Sequence, residues 1–426
     1  MNISDIIDRK EDYEELTKQE IEYVVNNYVN GSINDKDMSL FLKAIYKNGM
    51  NEEETLNLTI AMLNSGKKID LSSIKGVKVD KHSTGGVGDK TTLVIVPLVA
   101  TCGIPVVKMS GKALGYTGGT IDKLNSIRGF NTSLTVEQLL KQAEEIGIVV
   151  GSQTGNLVPA DKKIYALRDV TDTIESLPLI ASSIMSKKLA SGCDKILLDV
   201  KVGNGAFMKD LNKARELASL MVKIGNSYGK ETIALLTNMN EPLGNVIGNS
   251  LEVEEAIKTL EGKGPTDFTK LCIELASHMV SLGKRINVND ARKLVNNSLY
   301  NGNALNKFKE WISYQGGDLT SFPKAKNIIE VKSNKFGYIN KINTEVLGEV
   351  SMSLGAGRVN KDDEIDYSVG LILNHKLGDY VKKGDILIYI HTNKDNNEKE
   401  INLLKSSFII GDKDKIKKEI ILDIIK

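Results

Sequence analysis

Cysteine is almost missing from this chain of 426 residues. There are three, Cys102, Cys193 and Cys272, with no CxxC spacing. That argues against a disulfide frame or a thiolate zinc site and fits a reducing, cytoplasmic setting. Histidine is as sparse, with four scattered residues and no HExxH. An excess of one charge is missing too: 56 Lys+Arg against 55 Asp+Glu leave a formal charge of +1. Such a balance offers no global field for nucleic acid or an anionic membrane, so any anion site must be local. Apolar runs such as LVIVPLVA at 93–100 are far too short to span a bilayer. The N-terminus MNISDIIDRKEDYEELTKQEI mixes charges and has no apolar h-region, so no signal peptide is expected.

What is present is an ordinary globular balance, 41% hydrophobic and 26% charged. The length is too great for one core and predicts two or three lobes. Residues 1–64 read as helices, with Ser4 and Thr17 as candidate N-caps and Gly66 as a stop; Thr17-Lys18-Gln19-Glu20 is the better capping box. From 77 the pattern becomes strand, glycine loop, helix, repeated. VKVD, PVVKMS (105–110), KILLDVKVG (195–203) and ETIALLTNM (231–239) are the strands, with a helix around 211–226. This alternation predicts a parallel sheet with crossover helices and ligands beyond the strands' carboxyl ends. After about 325 the alternation resembles antiparallel hairpins, DYVKKGDILIYI among them.

Two loops carry the chemistry. In KHSTGGVGDKTT (81–92), Asp89 is placed to cap a helix reaching Cys102 despite Pro97, stopped by Gly103, with Leu93, Val96, Val99 and Ala100 on one face. A glycine turn feeding a helix N-terminus suits an anion, and Lys81, Ser83 and Thr92 add an ammonium and two hydroxyls. A Walker A loop is excluded by register, since Asp89 separates Gly88 from Lys90. In KMSGKALGYTGGT (108–120), Lys108 and Ser110 precede the glycines and Thr120 is placed to cap a helix closing at Gly129. Two such loops on adjacent strands would cradle one phosphate. In PLIASSIMSKKLASG (178–192), Ser183 and Lys187 are i, i+4 and share a helix face.

DKHSTGGVGDKTT, KMSGKALGYTGGTIDKLNSI, PADKKIYALRDVT and LLDVKVGNGAFM together resemble the thymidine and pyrimidine-nucleoside phosphorylase family, and the likeness runs along essentially the whole chain. The resemblance implies an α/β fold with a separate all-helical lobe and a small β-rich C-terminal domain, of the nucleoside phosphorylase and phosphoribosyltransferase kind. It divides the chain into a helical lobe (1–66 and 160–192), an α/β phosphate-binding lobe (74–159 and 193–325) and a C-terminal domain (330–426). It implies phosphate at Lys81, His82, Ser83, Thr92, Lys108, Met109, Ser110 and Thr120, and a pyrimidine at His82, Tyr165, Arg168, Ser183 and Lys187. His82, Arg168 and Lys187 would be catalytic, His82 as donor to O2.

Inorganic phosphate would be co-substrate, with no organic cofactor and no nucleic-acid or membrane partner, in a cytoplasmic homodimer. The resemblance also implies potassium at Gly88, Lys90, Leu243, Val246 and Glu255, bracing the first loop. Lysine at 108 resembles the broad pyrimidine-nucleoside phosphorylases of the family, whose strict thymidine phosphorylases tend to carry methionine, and so implies that uridine and thymidine are both accepted. Lys112, Ala113 and Tyr116 depart from the family's usual Arg, Gly and His. The rivals are a strict thymidine phosphorylase, an anthranilate-type phosphoribosyltransferase and a non-catalytic nucleoside-binding protein.

Overall fold

The computed structural model describes all residues except 113–114, 153–156, 361 and 415–418, so Ala113 lies outside the described residues. Four helices open the chain: α1 (Ile3–Glu11), α2 (Lys18–Asn30), α3 (Asp35–Asn48) and α4 (Glu52–Asn64). The expected box at α2 is present: the Glu20 N–H donates to Thr17 Oγ1 and the Thr17 N–H to Glu20 Oε2. Asn51 and Glu54 repeat it at α4. Two caps differ from expectation. Asn2, not Ser4, caps α1, because its side chain accepts the Ser4 N–H; Ser65, in right-handed backbone, ends α4 one residue before Gly66. Thr17→Ala should cost about 1 kcal/mol, read as a lower urea midpoint at unchanged m-value.

Next come β1 (Val79–Ser83), α5 (Thr91–Thr101), β2 (Val106–Ser110), α6 (Thr120–Asn125), α7 (Val136–Ile146) and β3 (Ile148–Ser152). They are followed by α8 (Pro159–Val170), α9 (Leu177–Ala190), β4 (Lys195–Val202), α10 (Leu211–Ser227) and β5 (Glu231–Asn238). β1, β4 and β5 pair in parallel with β4 central. Every residue of β4 is buried, as a strand covered on both faces must be. β2 and β3 form a separate parallel pair. The two loops therefore do not sit on hydrogen-bonded neighbours; β2 lies against β1, where the Lys108 ammonium donates to the Lys81 carbonyl. α5 is helical through Pro97 and buried from Thr91 to Val99, so it is a core helix without the single apolar face expected of it. α8 and α9 return to the opening helices, and Val24, Phe41, Leu58, Ile164, Leu179 and Met185 share one core.

After β6 (Val246–Ile247), α11 (Asn249–Leu260), α12 (Thr266–Lys284), α13 (Val288–Tyr300) and α14 (Asn303–Tyr314) build a second core around α5, with Phe268, Phe308 and Trp311 fully buried. The C-terminal region holds β7 (Asn327–Lys332), β8 (Gly337–Ile342), α15 (Thr344–Ser351), β9 (Gly370–Leu373), β10 (Tyr380–Val381), β11 (Ile386–Thr392), α16 (Glu398–Ser407), β12 (Phe408–Gly411) and β13 (Ile421–Ile425). Its sheets, β6-β9-β11-β7 and β10-β8-β12, are antiparallel. DYVKKGDILIYI is not a hairpin: β10 pairs with β8, whereas β11 pairs with β7 and β9. β13 leaves this region and closes the edge of the first sheet, antiparallel to β5. Among the described residues no helix is long and apolar enough to cross a membrane.

Candidate active site

β1 runs past VKVD, so His82 and Ser83 are strand residues at the mouth of the first loop. The β1–β4 register sets Ser83 opposite Asp199. Asp199 is fully buried; one carboxylate oxygen lies 2.9 Å from Lys81 Nζ and 2.8 Å from Lys201 Nζ, and the other accepts the Thr237 hydroxyl at 2.6 Å. Burial pulls the Lys81 ammonium down, but Asp199 and Asp89 outweigh it and hold it above the ordinary lysine value. Lys81 also donates to Thr91 Oγ1 at 2.7 Å.

Asp89 precedes the cap by one residue, since Lys90 holds the cap position without a side-chain capping bond to the helix. Its carboxylate still accepts the Thr91 N–H at 3.2 Å, the Thr91 hydroxyl at 2.6 Å and the Ser83 hydroxyl. Burial would raise Asp89, yet Lys81, Lys201 and these donors keep it well below the usual carboxylate range. Thr92 follows, buried in the first turn of α5.

On the second loop, Ser110 ends β2 and Lys108 is buried two residues earlier. The Met109 side chain packs into the core shared with the opening helices, and its backbone lies in the β2–β3 pair opposite Gly151. Thr120 does not cap α6: Gly119 does, and the helix ends at Asn125, short of Gly129. The Thr120 hydroxyl is thus not consumed in capping. Tyr116 points away towards the C-terminal domain, its hydroxyl accepting from Lys209 at 3.3 Å while Lys209 also pairs with Glu345 at 2.8 Å. Lys112 is exposed.

The helical lobe supplies the facing groups. The Lys187 ammonium donates to Ser183 Oγ at 2.9 Å, as the i, i+4 spacing predicted, and also to Asp161. Arg168 is buried and donates to three backbone carbonyls: Thr173 at 3.3 Å, Leu179 at 3.1 Å and Ile174 at 2.6 Å. Three of its five N–H groups are thereby used, which fixes the guanidinium plane. Burial lowers it to about 10, partly countered by Tyr165 and Asp161. The Tyr165 ring lies 5.8 Å from the guanidinium carbon.

Asp161 was not among the expected residues. The signal was present, because Asp161, Tyr165 and Arg168 are spaced i, i+4, i+7 on α8. Asp80 and Lys188 were also missed: Lys188 on α9 reaches Asp80 on β1 at 2.5 Å and so ties the two lobes.

His82 stands where these groups converge. Its Nε2 is buried and has no hydrogen-bond partner among the described residues. Burial, then Lys188, Lys108, Lys187 and Lys81, push it far below the ordinary histidine value, so the imidazole is neutral.

The residues expected to hold potassium do come together, but they do not fit the ion. Lys90 Nζ sits at the centre, donating to the Leu243 carbonyl at 2.8 Å and the Val246 carbonyl at 3.0 Å, and 2.7 Å from Glu255 Oε2. The Gly88 carbonyl accepts the Lys90 N–H at 3.0 Å. An ammonium occupies the place of the metal.

Comparisons with known proteins agree with this architecture. Residues 4–66 match the helical bundle domain and 75–305 the a/b domain of a glycosyl transferase family, and 338–411 match the pyrimidine nucleoside phosphorylase C-terminal domain. The chain is 52% identical over 417 residues to a pyrimidine-nucleoside phosphorylase of Staphylococcus haemolyticus, covering 96% of each chain. The chain belongs to the pyrimidine-nucleoside phosphorylase family. A second phosphorylase of this name, from Geobacillus stearothermophilus, is 52% identical over 402 residues, covering 93% of each. In fold alone, the structure is similar to anthranilate phosphoribosyltransferase from Thermus thermophilus, at a TM-score of 0.58 and 15% identity, covering 72% of this chain and 98% of that one.

Proposed function

We propose that this member of the pyrimidine-nucleoside phosphorylase family splits uridine, thymidine and deoxyuridine with inorganic phosphate, giving free base and (deoxy)ribose 1-phosphate. The observation that carries the reading is His82. Its neutral ring feels Lys81 and Lys108 of the anion loops and Lys187 of the helical lobe at once. A phosphate on the loops and a base on the helices would meet across it.

Phosphate is assigned to Lys81, His82, Ser83, Thr92, Lys108, Ser110, Thr120 and the backbone of Met109; the base to Tyr165, Arg168, Ser183 and Lys187. Phosphate attacks the anomeric carbon as the base leaves, and holding the two in line supplies about 7–11 kcal/mol of the barrier reduction. The leaving base gathers negative charge on O2, N3 and O4. Lys187 and the fixed Arg168 stabilise that charge, Ser183 holds the N3/O4 edge, and His82 donates to O2 as a neutral N–H. Nucleophile and leaving group both come from the substrates, so the reaction asks for no organic cofactor.

The phosphoribosyltransferase reading is disfavoured because Asp199, the buried acid beside the first loop, is already paired with two ammonium groups. A cytoplasmic homodimer completes the proposal; Tyr13, Leu40, Tyr46 and Val170 are exposed apolar side chains of the helical lobe that a second copy would cover. In this enzyme the helical lobe takes residues 1–66 and 160–192, and the phosphate-binding lobe 74–159 and 193–325. The test is base release from uridine, deoxyuridine and thymidine in phosphate. All three should react. Thymidine alone would make the enzyme a strict thymidine phosphorylase, and no release from any would leave a nucleoside-binding protein.

Lys108 gives the reaction a pH dependence. Burial lowers its ammonium to about 7; Asp80, 3.8 Å away, opposes this, while Lys188 and Lys81 add to it. Between pH 7 and the ordinary lysine value the unfolded chain binds the extra proton, so this group's contribution to stability grows as pH rises through that window and is lost as pH falls towards 7. A bound phosphate dianion reverses the preference. Phosphate binding at pH 8 should therefore take up a proton, measured by calorimetry in buffers of different ionisation enthalpy. Lys108→Met should abolish that uptake and flatten the rise of phosphate KM above pH 7.

A further inference from the structure

We propose that this chain carries its own cation, the Lys90 ammonium, in the cage that braces the first glycine loop, and that Lys90 is a positioning residue for that loop in place of a free monovalent ion. The catalytic half of this rests on the phosphate-loop reading; the structural half rests on geometry alone. An alkylammonium has three N–H groups. Two of them go to the carbonyls of Leu243 and Val246, at 2.8 and 3.0 Å, and the Glu255 carboxylate lies 2.7 Å from Nζ as the ion-pair partner. The Phe268 ring centroid is 5.2 Å from Nζ.

The cage has no second place. A Cβ on Gly244 would lie 3.1 Å from Nζ and 2.3 Å from Glu255 Oε2, and one on Gly88 would lie 2.7 Å from the Leu243 carbonyl. A further cation there would also face the Lys90 ammonium at close range and share the one Glu255 carboxylate with it. Glu255, with Glu252 and Asp267, more than offsets the cost of burial and keeps Lys90 charged.

The connections explain what the brace does. Lys90 lies between Asp89, which holds Ser83, and Thr91, which holds Lys81. Through Glu255 it is fastened to α11, and through Val246 to β6, which pairs with β9 of the C-terminal domain. A free ion would occupy such a cage in proportion to its concentration, whereas a tethered ammonium is always present.

The experiment measures melting temperature and phosphate KM in potassium chloride, ammonium chloride and tetramethylammonium chloride at equal ionic strength. The unaltered enzyme should give the same values in all three. Lys90→Ser, which empties the cage, should melt several degrees lower in tetramethylammonium and show a phosphate KM raised about 10–100-fold. Potassium or ammonium should restore both saturably. Lys90→Met, which fills the space without charge, should not respond to either ion.

A saturable effect of potassium on the unaltered enzyme would overturn the proposal, and that measurement stands even where a variant fails to fold. A Lys90→Ser protein that is normal in tetramethylammonium, or impaired but unresponsive to both cations, would overturn it too. Rescue of melting temperature without rescue of KM would keep the cation in its cage and remove the first loop from phosphate binding.

Discussion

Lys187→Ala is expected to lower kcat for uridine phosphorolysis about 10²–10³-fold, the usual cost of removing a donor aimed at developing charge. The Lys187 side chain is a fifth exposed and is bound to Ser183 and Asp161. Burial holds its ammonium below the ordinary lysine value against the pull of Asp161, so it gives up little solvation when a base anion forms beside it. The variant also strands the Asp161 carboxylate, nine-tenths buried, with one oxygen already lacking a hydrogen-bond partner among the described residues. Folding and catalysis therefore have to be separated. Adding Asp161→Asn should return the melting temperature towards that of the unaltered protein while kcat stays low. If turnover recovered with stability, Lys187 would be a structural lysine.

Asp199→Ala should cost about 3–5 kcal/mol of stability, because breaking a buried ion pair leaves its partner charge uncompensated. Here two ammonium groups, Lys81 and Lys201, share the fully buried carboxylate. Phosphate offers a diagnostic. If the first loop binds the anion beside Lys81, millimolar phosphate should raise the variant's melting temperature more than that of the unaltered enzyme, since the incoming charge replaces part of the lost one. Equal shifts in the two proteins would place phosphate away from Lys81; an unchanged melting temperature in the variant would contradict the buried-pair account itself.

Features set by local rules were legible in the sequence. The Thr17–Glu20 box needs only neighbours three residues apart, and the Ser183–Lys187 contact needs only helical spacing. The strand–loop–helix repeat likewise announced β1, β2, β4 and β5. Long-range pairing was not legible. β10 and β11 read as a hairpin, but their edges find better partners in β8, β7 and β9; nothing in ILDII announces that β13 will close the sheet of β5.

The acids of the site were hidden for a different reason. Asp80, Asp161 and Asp199 look in sequence like solvated charges, and only the fold shows that each lies buried against a lysine. Lys90 is the sharpest case. The family resemblance implied a backbone ligand for potassium there, and only the path of its side chain reveals the ammonium at the centre of the cage.

The central claim is that phosphate, not water, takes the sugar, and phosphorus NMR of the enzyme with uridine tests it most directly. The inorganic phosphate signal should be replaced by a pentose 1-phosphate ester in step with uracil release, with no uracil when phosphate is left out. Uracil appearing at the same rate without phosphate, or with no new phosphate ester, would contradict it.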